Sequence, residues 1–386
     1  MKGKLIMLLA VPVVLLALCG TLSPAVAQTE WAKQAQLGPY APSKQDWAAI
    51  EAAARKEGKV VIYSVSSRIF DIQKEFKEKF GVEIVGHDME STDQVRKFEH
   101  EYKAGVHQVD VLFNNSAPEM TAKFIPKKMI WNFVPDSAVP FLAENEKKPF
   151  LVQRWSSRVL VYNTALNPSG PPLDNLWDLT RKEWKARVLT PEPMSGVMGA
   201  VFQTILQHPD EMAAAYKKEF GKPITLSPGM MDASEEWMIQ FLKNEPVTMS
   251  STTQIFKGVS QVQQKNPPIG FTTFSKLRDV KQGVNECAAL FNMEPVFGVA
   301  YPTVFVIADK APHPNAAKLL IRYMMGEGIG PWNVIGDYAA RSDIEAQQVK
   351  EFNVPPFEKV KLWSIDPEHV FKTRVDYVNF YMSIVP

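Results

Sequence analysis

Cysteine is nearly missing from this chain, with two in 386 residues, Cys19 and Cys287. A disulfide-built scaffold is therefore excluded, and stability must come from core burial. Excess charge of either sign is also missing, since 43 Lys and Arg face 42 Asp and Glu, and no basic run exceeds two residues. Without a basic patch or tail, nucleic acid is not an expected partner. No HExxH, GxSxG or Walker A motif occurs. Gly326-Glu327-Gly328-Ile329-Gly330 is glycine-rich but lacks the Lys-Ser/Thr of a phosphate loop, and reads as a helix-ending turn. His100 and His107 lie on a polar stretch and read as solvated, so no metal and no cofactor is expected.

The one long apolar run, Leu5 to Leu18, follows Lys2 and Lys4 and precedes Ala25-Val26-Ala27. That is the three-part form of a secretory signal cleaved after Ala27, and it is too short for a comfortable membrane span. Leu18 before Cys19 is unfavourable for lipidation. The chain from Gln28 is expected in the periplasm as a soluble monomer held together without a disulfide.

What is abundant is alternation. Residues 28–44 read as a loose polar arm, with Ser43 capping a first helix that carries Trp47, Ile50, Ala53 and Ala54 at helical spacing. Val60 to Ser64 reads as a buried strand, Ile69 to Phe80 as a helix, Val82 to Val85 as a strand, Asp93 to Ala104 as a helix, and Val109 to Phe113 as a strand. The pattern restarts with a strand at Arg158 to Asn163, a helix capped by Asp174 or Asn175, and a strand at Ala186 to Leu189. A helix runs toward Leu206, strands follow at Pro246 to Met249 and Thr303 to Ala308, and a helix spans Pro314 to Met325. Continuous apolar strands between helices predict an α/β fold built on mostly parallel sheet.

Such sheets bind ligands beyond the carboxyl ends of their strands. Four segments there are rich in small polar residues: Ser64 to Arg68, including Ser66 and Ser67; Asn114-Asn115-Ser116; Ser195-Gly196-Val197; and Ser250-Ser251-Thr252-Thr253. Any one of them reads equally well as a cap or turn. Together they offer neutral donors beside helix N-termini, where an anion is favoured, with Arg68 as a full charge. No histidine or lysine is adjacent in sequence to these serines to serve as a catalytic base, so an enzyme is not expected, although an exported hydrolase remains the reading from another class.

Glu57-Gly58-Lys59-Val60-Val61-Ile62-Tyr63-Ser64, Phe80-Gly81-Val82-Glu83-Ile84, Val109-Asp110-Val111-Leu112, Ser157 to Thr164 and Pro193-Met194-Ser195-Gly196 occur in an order that resembles the periplasmic solute-binding proteins of ABC transporters. The resemblance is to the group that includes the ferric-binding proteins. It covers roughly residues 45–345. It implies a two-lobed type 2 periplasmic binding fold, with lobe 1 at 45–154 plus 300–345 and lobe 2 at 155–299 plus 346–386. It also implies a hinge between them, with Tyr301 facing the cleft, and as partners a small-molecule solute and a membrane permease.

Ferric relatives hold iron with an adjacent tyrosine pair, a histidine and a glutamate. The corresponding places here carry Thr252-Thr253, Ser67 and Asn115, which supply no anionic oxygen for a hard cation. The expectation is a small phosphorylated or carboxylated anion. The alternatives within the family are ferric ion and a polyamine- or thiamine-type cation, served by Glu294 and Asp88.

Overall fold

The computed structural model describes residues 30–194 and 196–385. The expected signal segment and its cleavage site, and Ser195, lie outside these residues. The described strands form one mixed sheet in the order β2-β1-β3-β10-β5-β8-β6-β7. These are β1 (Lys59–Ser64), β2 (Glu83–Asp88), β3 (Val111–Asn114), β5 (Leu151–Tyr162), β6 (Val188–Thr190), β7 (Val247–Thr248), β8 (Ile269–Thr273) and β10 (Gly298–Ala308). Four short strands attach at its flanks: β4 (Ile130–Trp131), β9 (Ala288–Ala289), β11 (Asp337–Ala339) and β12 (Leu362–Ser364).

The expectation of mostly parallel sheet holds at both ends and fails in the middle. β1 pairs in parallel with β2 and β3, and β6 with β7 and β8. At the centre β10 runs antiparallel to both β3 and β5, and β5 antiparallel to β8. These two central strands, 12 and 11 residues long, are longer than the sequence reading gave them.

They are long because each serves two cores. Leu151 and Val152 of β5 pack with the N-terminal elements and with Val304 to Ala308 of β10, while Leu160 and Tyr162 pack with Trp177, Phe202, Trp237 and Phe241. Val299, near the start of β10, belongs to the second core and Phe305 to the first. The chain thus forms two lobes joined by a pair of crossing strands, whose register slips at Thr303/Val304.

The helices form largely where apolar spacing places them. α1 (Trp47–Glu57) is capped by Asp46, whose carboxylate accepts from Ala49 N, rather than by Ser43. The stretch read as a helix from Ile69 splits into a single 3-10 turn, Ser67–Phe70, and α2 (Gln73–Phe80). Asn175 caps a 3-10 turn, Leu176–Thr180, in place of an α-helix. Three longer helices matter below: α3 (Gly196–Leu206), α4 (Thr252–Ser260) and α5 (Pro367–Ile384). The N-terminal arm, from residue 30 on, is not loose: Ala35 and Leu37 are buried in the first core and Trp31 packs against it. Burying one leucine contributes about 2 kcal/mol, enough to pin such a segment.

Candidate functional site

A cavity of about 740 Å³ opens between the lobes, with β5, β10 and β11 along its floor. It brings together Ser66, Ser67, Arg68 and Asn115 from the first lobe, Gly196, Val197, Ser250, Ser251, Thr252 and Thr253 from the second, and Tyr301 from the crossing strand. Asn114 is not among its lining residues. Its side chain is fully buried, donating to Ser91 O at 3.2 Å and Gln94 Oε1 at 3.0 Å and accepting from Ser116 N at 2.6 Å. Asn114 therefore shapes the turn that presents Asn115.

Some of the lining groups also carry local structure. Ser251 Oγ accepts from Gln254 N at 3.2 Å as the N-cap of α4. Ser66 Oγ accepts from Trp332 Nε1 at 3.2 Å, and the Asn115 amide oxygen accepts from Ser91 Oγ. Gly196 begins α3 with φ +58°, and no heavy atom lies within 4 Å of where its Cβ would be. That left-handed backbone favours glycine, and a Cβ there would meet open space.

The floor carries what sequence reasoning missed. β5 alternates Arg154, Ser156 and Arg158 on one face, all three lining the cavity. Across the ladder Tyr301 faces Ser156 and Thr303 faces Arg154 on β10, while Asp337 faces Ser156 on β11. Gly336 makes this approach possible. At φ +81° its backbone passes so close to Phe274 that a Cβ would sit 2.6 Å from the ring. The 3-10 turn Phe274–Asp279 then adds Ser275, Lys276 and Arg278 to the lining.

Arg68 is not the free charge expected opposite α3. Its Nη1 lies 3.1 Å from Asp337 Oδ2, Arg154 Nε lies 3.5 Å from the same oxygen, and Ser156 Oγ donates to Asp337 Oδ1 at 2.6 Å. One buried carboxylate therefore serves two arginines. Arg158 donates through Nη1 to Thr273 Oγ1 and lies over the Tyr301 ring at 5.7 Å. Burial first, and then the neighbouring positive charges, hold the Arg154 guanidinium down to about 10 and depress Lys276 and Arg278. At the mouth stand Asp88, Glu90 and Glu192, all exposed, and burial raises the Asp88 carboxyl.

Of the two acids expected to serve a cationic ligand, only Asp88 reaches the cleft. Glu294 is engaged elsewhere by Lys218 at 2.8 Å and Lys361 at 2.7 Å. The alternation Arg-x-Ser-x-Arg inside an apolar strand was a legible signal, because charge on a central strand must face a cavity or a partner. Lys276 and Arg278 gave none, since their position depends on a turn packed beneath Gly336.

Comparison with solved structures places this geometry in a known architecture. Iron-bound HitA from Pseudomonas aeruginosa superimposes with TM-score 0.62 at 14% identity, over 85% of this chain and 99% of that one. The substrate binding protein of an ABC transporter from Agrobacterium tumefaciens gives 0.63 at 13% identity, over 85% and 94%. A Trichodesmium protein in complex with iron and citrate gives 0.57 at 15% identity, over 85% and 99%. No family model and no curated protein matches the sequence. The chain shares the fold of these binding proteins, and its own cavity lies between its two lobes.

Proposed function

From that fold we propose that this chain is the solute-binding component of an ABC importer, exported to the periplasm and monomeric, which captures a small anion between its lobes and delivers it to a membrane permease. The observation that carries the reading is the set of five bases, Arg68, Arg154, Arg158, Lys276 and Arg278, converging on strands shared by both lobes. Buried positive charge of this kind is costly unless something negative compensates it. The neutral donors on Ser66, Ser67, Asn115, Gly196, Val197 and Ser250 to Thr253 then orient the remainder of the solute. The lobes, 45–154 plus 300–345 and 155–299 plus 346–386, move about β5 and β10, so ligand bridging both walls favours the closed form. Charge-assisted hydrogen bonds of about 1.5–3 kcal/mol each make a few such contacts sufficient for micromolar capture.

A second reading has support from the neighbours named as iron-bound: iron enters as a complex with a polycarboxylate, whose negative charge meets the same bases. Direct coordination by the expected residues is disfavoured, because Thr252 and Thr253 supply neutral oxygens. Equilibrium dialysis of the protein against ferric ion, citrate and ferric citrate separates the cases. Retention of citrate without iron supports the simple anion, retention of both together supports the complex, and retention of ferric ion alone would overturn both.

A further inference from the structure

We propose that the floor of the cleft, rather than the N-terminus of α3, is the main anion seat, and that it takes a group bearing two negative charges: a phosphate monoester, a phosphonate, inorganic sulfate, or two carboxylates on one carbon. This deepens the anion reading above and rests on it.

The charges on the floor do not balance. Arg68 and Arg154 share Asp337, and Lys276 and Arg278 share Asp279, at 3.7 and 3.6 Å, while Arg158 forms no ion pair among the described residues, its polar and ring contacts being with Thr273 and Tyr301. Five bases against two acids leave a surplus of three. Arg68 acts electrostatically on Arg154, Lys276 and Arg278 and disfavours the charge of each, so the cluster stands under mutual repulsion. A singly charged anion offsets one of the three excess charges, and a doubly charged one offsets two.

Donors also stand unused. Arg154 Nε, Arg158 Nε and Thr303 Oγ1 are buried without a hydrogen-bond partner, Arg154 being 7% and Thr303 0% exposed. All three residues line the cavity. The contact between Arg154 Nε and Asp337 is too long and poorly aligned to satisfy that donor. Unpaired buried donors cost about 1–3 kcal/mol each, and acceptor oxygens placed among them remove that cost. The exposed acids of the lining, Asp88, Glu90 and Glu192, disfavour negative charge beside them, so the solute's doubly charged group points to the floor and its tail is neutral or cationic.

The test compares melting shifts of the full protein and two variants, Arg158→Gln and Lys74→Gln, the latter an exposed base outside the cleft, with nitrate, sulfate, inorganic phosphate, malonate and putrescine at matched ionic strength. Sulfate stabilises many proteins non-specifically, so the readout is the difference between parent and Arg158→Gln. The parent should bind sulfate or phosphate at least tenfold more tightly than nitrate. Phosphate should improve several-fold from pH 6 to 8 as its second proton leaves, while sulfate stays level. Arg158→Gln should lose at least tenfold in sulfate affinity and Lys74→Gln less than twofold, with ligand-free circular dichroism confirming that both fold. A malonate response equal to that of sulfate identifies paired carboxylates as the group, and a weaker one identifies a phosphate-type head or inorganic sulfate. Nitrate binding as well as sulfate, or equal sulfate shifts in parent and Arg158→Gln, overturns the doubly charged seat while leaving a simpler anion site possible at α3. Stabilisation by putrescine with no response to any anion overturns the anion reading itself.

Discussion

Asp337 is the residue on which the floor depends, since its 2% exposed carboxylate is the shared partner of Arg68 and Arg154. Removing one member of a buried ion cluster leaves the others uncompensated, so Asp337→Asn should lower stability by about 3 kcal/mol in a denaturant titration. The same variant should bind sulfate more tightly, because the surplus of positive charge grows. Lys318 is a second buried base, remote from the cleft: it is 2% exposed, its Nζ lies 5.7 Å from the Phe133 ring centre, and burial pushes it down to about 8. The unfolded chain holds that proton until about pH 10.4, so it binds more protons than the fold between about 8 and 10.4, and stability rises with pH across that window. Lys318→Met should raise stability at neutral pH by about 3 kcal/mol and remove the alkaline rise. Among single residues, Arg154 and Arg158 could be read from their alternation in an apolar strand. Asp337 could not, because its partners lie 269 and 183 positions away along the chain.

The outer strands β1, β3 and β6 were legible because a strand buried on both faces is a continuous apolar run. The crossing strands β5 and β10 were read too short, since Arg154 to Arg158 and Tyr301 to Thr303 interrupt that run where the strands line the cleft. The 3-10 turns at Ser67–Phe70 and Phe274–Asp279 were not legible either, as short turns have no period of their own. The C-terminal helix α5 was not read from the sequence, and its Tyr377 and Tyr381 pack in the second core. It also reaches the first lobe, where Arg374 pairs with Glu119. Tyr377 donates its hydroxyl to Pro193 O at 2.6 Å, fixing the turn that leads toward Gly196. Tyr377→Phe leaves that acceptor unpaired and should cost about 1–2 kcal/mol, read from the midpoint of urea unfolding at unchanged slope.

The first and second cores are joined by β5 and β10, each of which contributes side chains to both. The described residues contain a single cysteine, Cys287, whose thiol burial pushes up to about 12, so both lobes are held without covalent links. Layout of this kind was visible from the order of strands and helices, whereas the charge of the cleft was not, because a net charge of +1 averages a cationic floor with an acidic mouth. The most direct measurement is native mass spectrometry of the protein purified from its native cells without denaturation, beside an Arg158→Gln, Arg278→Gln double variant. The parent should carry a small ligand that, once released, is detected as an anion, and the folded double variant should carry none. A released ligand that is a cation, or an anion retained equally by the double variant, would contradict capture of an anion on this floor.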